Sequence, residues 1–130
     1  RTFIAQNGGA PVHFYRNFAP DDYVRLLNRC ACLVGNSSSG IREGAFLGTP
    51  CVNIGSRQNE RERCENVRDV NHDADAIYQA VISQVKHGRY PSSSLYGDGK
   101  AGDRMAEILS ESHIGVKKTF HRLPEGDAHE

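Results

Sequence analysis

Residues 33–57, LVGNSSSGIREGAFLGTPCVNIGSR, limit the fold more than any other stretch of the chain. A short apolar run, Cys32-Leu33-Val34, runs into six small or polar residues, Gly35 to Gly40. A helical pattern follows from Ile41 to Leu47, with Ile41, Ala45 and Phe46 on one side. Gly48 suits a left-handed C-cap, and Pro50 cannot continue the helix. Cys51 to Ile54 is a second apolar run. Strand, polar turn, helix, turn, strand is the pattern of a crossover unit, and such units make parallel sheets.

The flanking sequence extends the unit. Val12 to Tyr15 has strand composition, bulky and aromatic. Asp21 or Asp22 is expected to cap a helix that runs to about Arg29, with Tyr23, Leu26, Leu27 and Cys30 at helical spacing. Glu60 to Asn66 is very polar and suits a short helical turn, and Val67 to Val70 reads as a short strand. Asp73 or Asp75 caps the clearest helix, which buries Ile77, Ala80, Val81, Ile82 and Val85 and stops at His87-Gly88. Asp103 can start a last helix with Met105, Ala106, Ile108 and Leu109 on its apolar side. Asn7 to Ala10 is a turn signal, and residues 115–130 form a polar tail. In such sheets ligands bind outside the carboxyl ends of the strands. Here those ends carry the loops Arg16–Pro20, Gly35–Gly40 and Gly55–Asn59.

Composition excludes some classes of function. Sixteen Lys plus Arg balance sixteen Asp plus Glu, so no general nucleic-acid or acidic-membrane surface is expected. No stretch approaches ~20 apolar residues, so no membrane span is expected. Cys30, Cys32, Cys51 and Cys64 fit no common zinc spacing. The first three sit in apolar surroundings and read as small core residues of a cytoplasmic protein. No metal cluster and no cofactor are expected. His13 reads as structural, His87 as a helix-end charge, and the remaining histidines as solvated; none is assigned a catalytic role. The chain opens at Arg1 without a Met, as a fragment or processed chain would.

The Gly35–Gly40 turn has two readings. Ser37, Ser38 and Ser39 offer hydroxyls beside the first N–H groups of the next helix, a place that favours anions. An ordinary N-cap, with one serine satisfying the helix and the others solvated, explains the same residues. Glu43, in the first helical turn, can serve the dipole or accept hydrogen bonds from a ribose diol. Arg57, at the end of the next strand, can be a solvated charge or a bidentate phosphate ligand. Together they suit a nucleotide site better than any one does.

The run Gly35-Asn36-Ser37-Ser38-Ser39-Gly40-Ile41-Arg42-Glu43, then Gly48-Thr49-Pro50, Asn53-Ile54-Gly55-Ser56-Arg57-Gln58 and Glu65-Asn66-Val67, resembles the UDP-N-acetylglucosamine 2-epimerase family. The likeness is to its hydrolysing, sialic-acid-pathway branch. Tyr96-Gly97-Asp98-Gly99-Lys100-Ala101 with Arg104 matches the family's closing segment, so the resemblance covers roughly residues 11 to 112.

The resemblance implies a glycosyltransferase-B type fold, with this chain as the Rossmann-like C-terminal domain, a parallel sheet with helices on both faces. Residues 1–114 would be the UDP-binding domain, incomplete at its N-terminus. Ser37 and Ser38 would contact the diphosphate beside Ser39 and Gly40, although many relatives carry Gly or Cys at the position of Ser39. Glu43 would bind the ribose, Arg57 would lie near the nucleotide, and the backbone around Phe18 would meet the uracil. The implied reaction converts UDP-N-acetylglucosamine to N-acetylmannosamine and UDP through a 2-acetamidoglucal. Its proton-transferring acids would lie on a missing N-terminal domain, so this chain alone is expected to be inactive and supplies no catalytic residue. Full-length relatives are commonly dimers. A glycosyltransferase of the same fold and an inactive nucleotide-binding module are the rival readings.

Overall fold

A computed structural model describes residues 11–112. The turn signal at 7–10 and the tail at 115–130 lie outside them. The first compact unit ends at Tyr96 and a second begins at Gly97.

In the first unit, α1 (Pro20–Arg29) leads into β1 (Leu33–Gly35), then α2 (Ser38–Ile41), α3 (Glu43–Leu47), β2 (Cys51–Ile54), β3 (Val67–Val70) and α4 (Ala74–His87). The three strands form one parallel sheet in the order β1-β2-β3. Leu33, Cys51 and Val67 share one register row, and Gly35, Asn53 and Asp69 another. These rows lie on the same face, because side chains alternate along a strand. This is the α/β, Rossmann-like arrangement expected from the alternation of strands and helices.

The core lies around the central strand. Val52 and Ile41 are fully buried, and Leu27, Ala45 and Cys51 nearly so. Each large apolar side chain buried this way contributes about 1.5–3 kcal/mol. α1 packs on α3, α2 on β2, and α4 on β2 and β3. α2 comes so close to the sheet that only glycine fits at position 40. A methyl group there would run into the Cys51 sulfur, with Leu33 Cδ2 at 3.1 Å.

Buried polar side chains stitch the crossovers. Thr49 Oγ1 donates to the Leu27 carbonyl (3.0 Å) and accepts from Arg89 (2.6 Å). Gln84 Nε2 donates to the carbonyls of Cys51 and Asn66, both at 2.9 Å, and Tyr90 supplies the hydrogen bond to its oxygen. Asp73 caps α4 by accepting from the Ala76 amide at 2.8 Å.

Six expectations are corrected. Val12–Tyr15 forms no strand, and Val12, Phe14 and Tyr15 are exposed. A strand needs a neighbour for its backbone and a surface for its alternating face, and the described residues give this segment neither. His13, exposed there, is not part of a core. α1 has no side-chain cap: Pro20 occupies its first turn, where a missing N–H costs nothing, and Asp21 and Asp22 sit inside that turn. The helix expected over 41–47 is two short pieces broken at Arg42 (φ −91°, ψ −73°). On α4, Ala80 and Gln84 are the buried residues, while Ile82 and Val85 stay about half exposed on the helix flank. The short helical turn expected over Glu60–Asn66 is absent: residues 60–66 are turns, a bend and irregular loop, with Glu60 at φ +66°.

In the second unit, α5 (Ala101–Glu111) has Lys100 before it and Asp103 within its first turn. Asp98 accepts from the Lys100 amide and pairs with Arg104 through both oxygens, at 3.0 and 2.6 Å. The Arg104 guanidinium holds the Asp98 carboxyl below its usual range.

Candidate functional site

Two loops meet at the carboxyl end of the sheet. The first, after β1, holds the serine turn. Ser37 caps α2: its Oγ accepts the Ser39 amide at 3.3 Å and donates to Ser39 Oγ at 3.1 Å. The N-cap reading of the serines therefore holds for Ser37. Ser38 and Ser39 are half-buried and Gly40 is buried.

The second loop follows β2. Gly55 adopts φ +77°, and the His72 ring lies against it so closely that a side chain would not fit. The Gly55 amide donates to the Val70 carbonyl at 2.8 Å. That turn sends the chain back over the first loop. Arg57 Nη1 donates to Asn36 Oδ1 at 3.3 Å, and Gln58 Nε2 donates to the Asn36 carbonyl at 2.8 Å. Arg57 is exposed and Gln58 buried. An exposed cation and a small-residue turn are thus adjacent, an arrangement able to receive an anion.

The other predicted residues are placed separately. Glu43 opens α3, exposed, with no hydrogen bond or ion pair among the described residues. Phe18 is half-buried before α1, with its ring centroid 4.9 Å from Tyr15 and 6.5 Å from Tyr23. The helix dipole at the serine turn is small, because α2 is one turn long and the break at Arg42 interrupts the peptide alignment.

Three residues at this end carry no assigned role in the sequence reading: Asn36, Gln58 and His72. Asn36 lies inside the glycine-bracketed turn and Gln58 directly follows Arg57, so both belong to motifs the sequence marks. Nothing in the sequence separates His72 from a solvated histidine.

Behind the loops, Asn53 Nδ2 donates to Asp69 Oδ1 at 2.6 Å, and Arg63 pairs with Asp69 at 3.1 Å. Partial burial opposes ionisation of Asp69, but the hydrogen bonds from Arg63 and Asn53 prevail and hold its carboxyl below the usual range. Burial, aided by nearby Cys32 and Asp69, pushes the Cys51 thiol up to about 12. Burial also raises Cys30 and Cys32, and all four cysteines are free. Among the described residues no group of His, Cys, Asp or Glu could hold a metal ion, and no helix is long and apolar enough to cross a membrane. A cavity of about 510 Å³ opens elsewhere, beside the start of β3, lined by Arg63, Cys64, Asn66, Ser92, Ser93 and Leu95.

The fold is thus a parallel α/β domain in which two loops joined through Asn36 meet where the strands end. The family model for UDP-N-acetylglucosamine 2-epimerase matches residues 2–110, and the chain belongs to that family. It is 37% identical over 98 residues to a UDP-N,N'-diacetylbacillosamine 2-epimerase (hydrolyzing) of Legionella pneumophila, covering 75% of this chain and 26% of the relative. A GDP/UDP-N,N'-diacetylbacillosamine 2-epimerase (hydrolyzing) of Campylobacter jejuni is 35% identical over 80 residues, 61% of this chain and 21% of the relative. A UDP-N-acetylglucosamine 2-epimerase of Neisseria meningitidis is 26% identical over 104 residues, 75% of this chain and 28% of the relative. The chain spans about a quarter of the length of these curated relatives.

Proposed function

We propose that this chain is the UDP-holding part of a hydrolysing UDP-sugar 2-epimerase. The observation that carries the reading is the family match over residues 2–110, which includes both loops joined through Asn36. In this reading residues 1–114 are the nucleotide-binding domain. Ser37, Ser38, Ser39 and Gly40 face the diphosphate, Glu43 accepts from the ribose diol, Arg57 approaches the nucleotide phosphates, and the backbone at Phe18 meets the uracil.

The reaction removes the C2 proton of the sugar and breaks the C1–O bond to the diphosphate, releasing UDP and leaving a glycal. Water then adds across the double bond, placing hydroxyl on C1 and a proton on C2 from the opposite side. For UDP-N-acetylglucosamine the products are N-acetylmannosamine and UDP. The turn donors and Arg57 act on the leaving group: they stabilise the charge that gathers on the diphosphate as the bond breaks. Proton transfer at C2 falls to groups outside this chain, on an N-terminal domain. The whole protein acts in the cytoplasm as a dimer.

A second sugar is supported by the names of the Legionella and Campylobacter relatives, which specify a diacetamido sugar. The test incubates the full-length protein with UDP-N-acetylglucosamine and, separately, UDP-N,N'-diacetylbacillosamine. Free 2-epimerised sugar with equimolar UDP supports the reading, and the faster substrate identifies the sugar. Transfer of intact sugar to an acceptor would instead support a glycosyltransferase. UDP binding without turnover would support a nucleotide-binding module.

A further inference from the structure

We propose that Gln58 is a positioning residue that sets the Gly35–Gly40 turn for its ligand. The inference rests on the reading of that turn as the diphosphate grip.

Gln58 is 4% exposed, and its Nε2 holds the Asn36 carbonyl at 2.8 Å across 22 residues of sequence. Arg57 holds the side chain of the same residue at 3.3 Å. Asn36 is therefore fixed by its main chain and its side chain from two consecutive residues of one loop. The main-chain bond has a directional consequence. In a trans peptide the C=O and the following N–H point opposite ways. Turning the Asn36 carbonyl onto Gln58 turns the Ser37 N–H away from it. That N–H has no acceptor among the described residues, and an anion seated on the turn would take it.

Folding alone does not call for a glutamine here. Its Oε1 is buried without a hydrogen-bond partner among the described residues. Leaving such an acceptor unpaired costs the fold stability, and an apolar side chain of equal length would fill the volume without that cost. What the amide adds is the orientation of one peptide in the turn.

The test measures dissociation constants for UDP and for uridine by calorimetry on the full-length protein. Wild type is compared with Gln58→Met and with Gln58→Leu. Both variants lose the N–H donor without adding charge beside the turn, and the shorter leucine tests the role if the methionine variant fails to fold. The expected result is UDP binding about tenfold weaker, the loss of one hydrogen bond, with uridine binding unchanged. UDP binding that is unchanged overturns the positioning role, and so does an equal loss for UDP and uridine, which marks a general structural effect. A Ser38→Ala control separates the two readings. If it weakens UDP binding while the Gln58 variants do not, the diphosphate turn stands and the role of Gln58 falls. If wild type does not bind UDP, both fall.

Discussion

The side-chain amide of Asn66 donates to the Gly40 carbonyl at 3.0 Å, joining the start of β3 to the crossover that carries the serine turn. The same Nδ2 reaches the Thr49 carbonyl at 2.8 Å. In a continuous helix the Gly40 carbonyl would accept from the Gly44 amide. Asn66 takes it instead, which gives the break at Arg42 a physical cause.

Asn66→Ala leaves two buried carbonyls without this donor. The expected cost is about 2–6 kcal/mol, at about 1–3 kcal/mol for each orphaned group. Urea denaturation with an unchanged m-value would measure it. A loss within 0.5 kcal/mol, the range of a surface substitution, would show that the two bonds do not hold the crossover.

Gly40→Ala pushes a methyl group into the Cys51 sulfur, with Cys51 Cβ at 3.3 Å. Overpacking of this kind costs about 1–3 kcal/mol. Cys51→Ala removes the obstructing sulfur, so the double variant is expected to be more stable than the sum of the single losses predicts. Additive losses would mean that the contact with Leu33 or the helix itself is the limiting factor.

Much of this architecture is legible in the sequence, and the gaps have physical causes. Gly48 and Pro50 fix the end of the crossover, and Gly48 is left-handed at φ +66° as expected. Apolar runs place β1 and β2 to within a residue, because buried parallel strands are short and continuous in their hydrophobicity. Val12–Tyr15 has strand composition, but composition does not supply a pairing partner. The break at Arg42 is invisible locally, since it is made by a side chain 26 residues beyond Gly40. Gln84 sits on the buried face of α4 because two carbonyls await its amide, which a search for an apolar stripe passes over. At the site, sequence marks the serines and Arg57. It does not show that Arg57 and Gln58 both converge on Asn36, because that requires the folded return of the chain at Gly55.

Cys51 is expected to resist thiol reagents in the native state. With its pKa at about 12, the thiolate fraction at pH 8 is about one part in ten thousand. In a Cys30→Ser, Cys32→Ser, Cys64→Ser background, labelling of Cys51 should follow the unfolding rate. Prompt labelling under native conditions would contradict its burial.

Asp69 gives the sign of one pH effect. Its folded pKa is lowered, so its contribution is present above the unfolded value of about 3.9 and is lost as pH falls through the folded value. Stability should therefore decline below about pH 4, and Asp69→Asn should flatten that decline. The effect is small, since the carboxylate is half exposed. Equal acid sensitivity in wild type and Asp69→Asn would remove Asp69 from the account.

The central claim, that this chain grips UDP, is tested most directly by titrating UDP into the full-length protein and its Arg57→Ala and Glu43→Ala variants. Each substitution removes a charged hydrogen-bonding group, so affinity should fall about 10–100-fold in either. Arg57→Lys should not restore a bidentate contact. UDP binding that is unchanged in both alanine variants would contradict the assignment of the nucleotide to this end of the sheet.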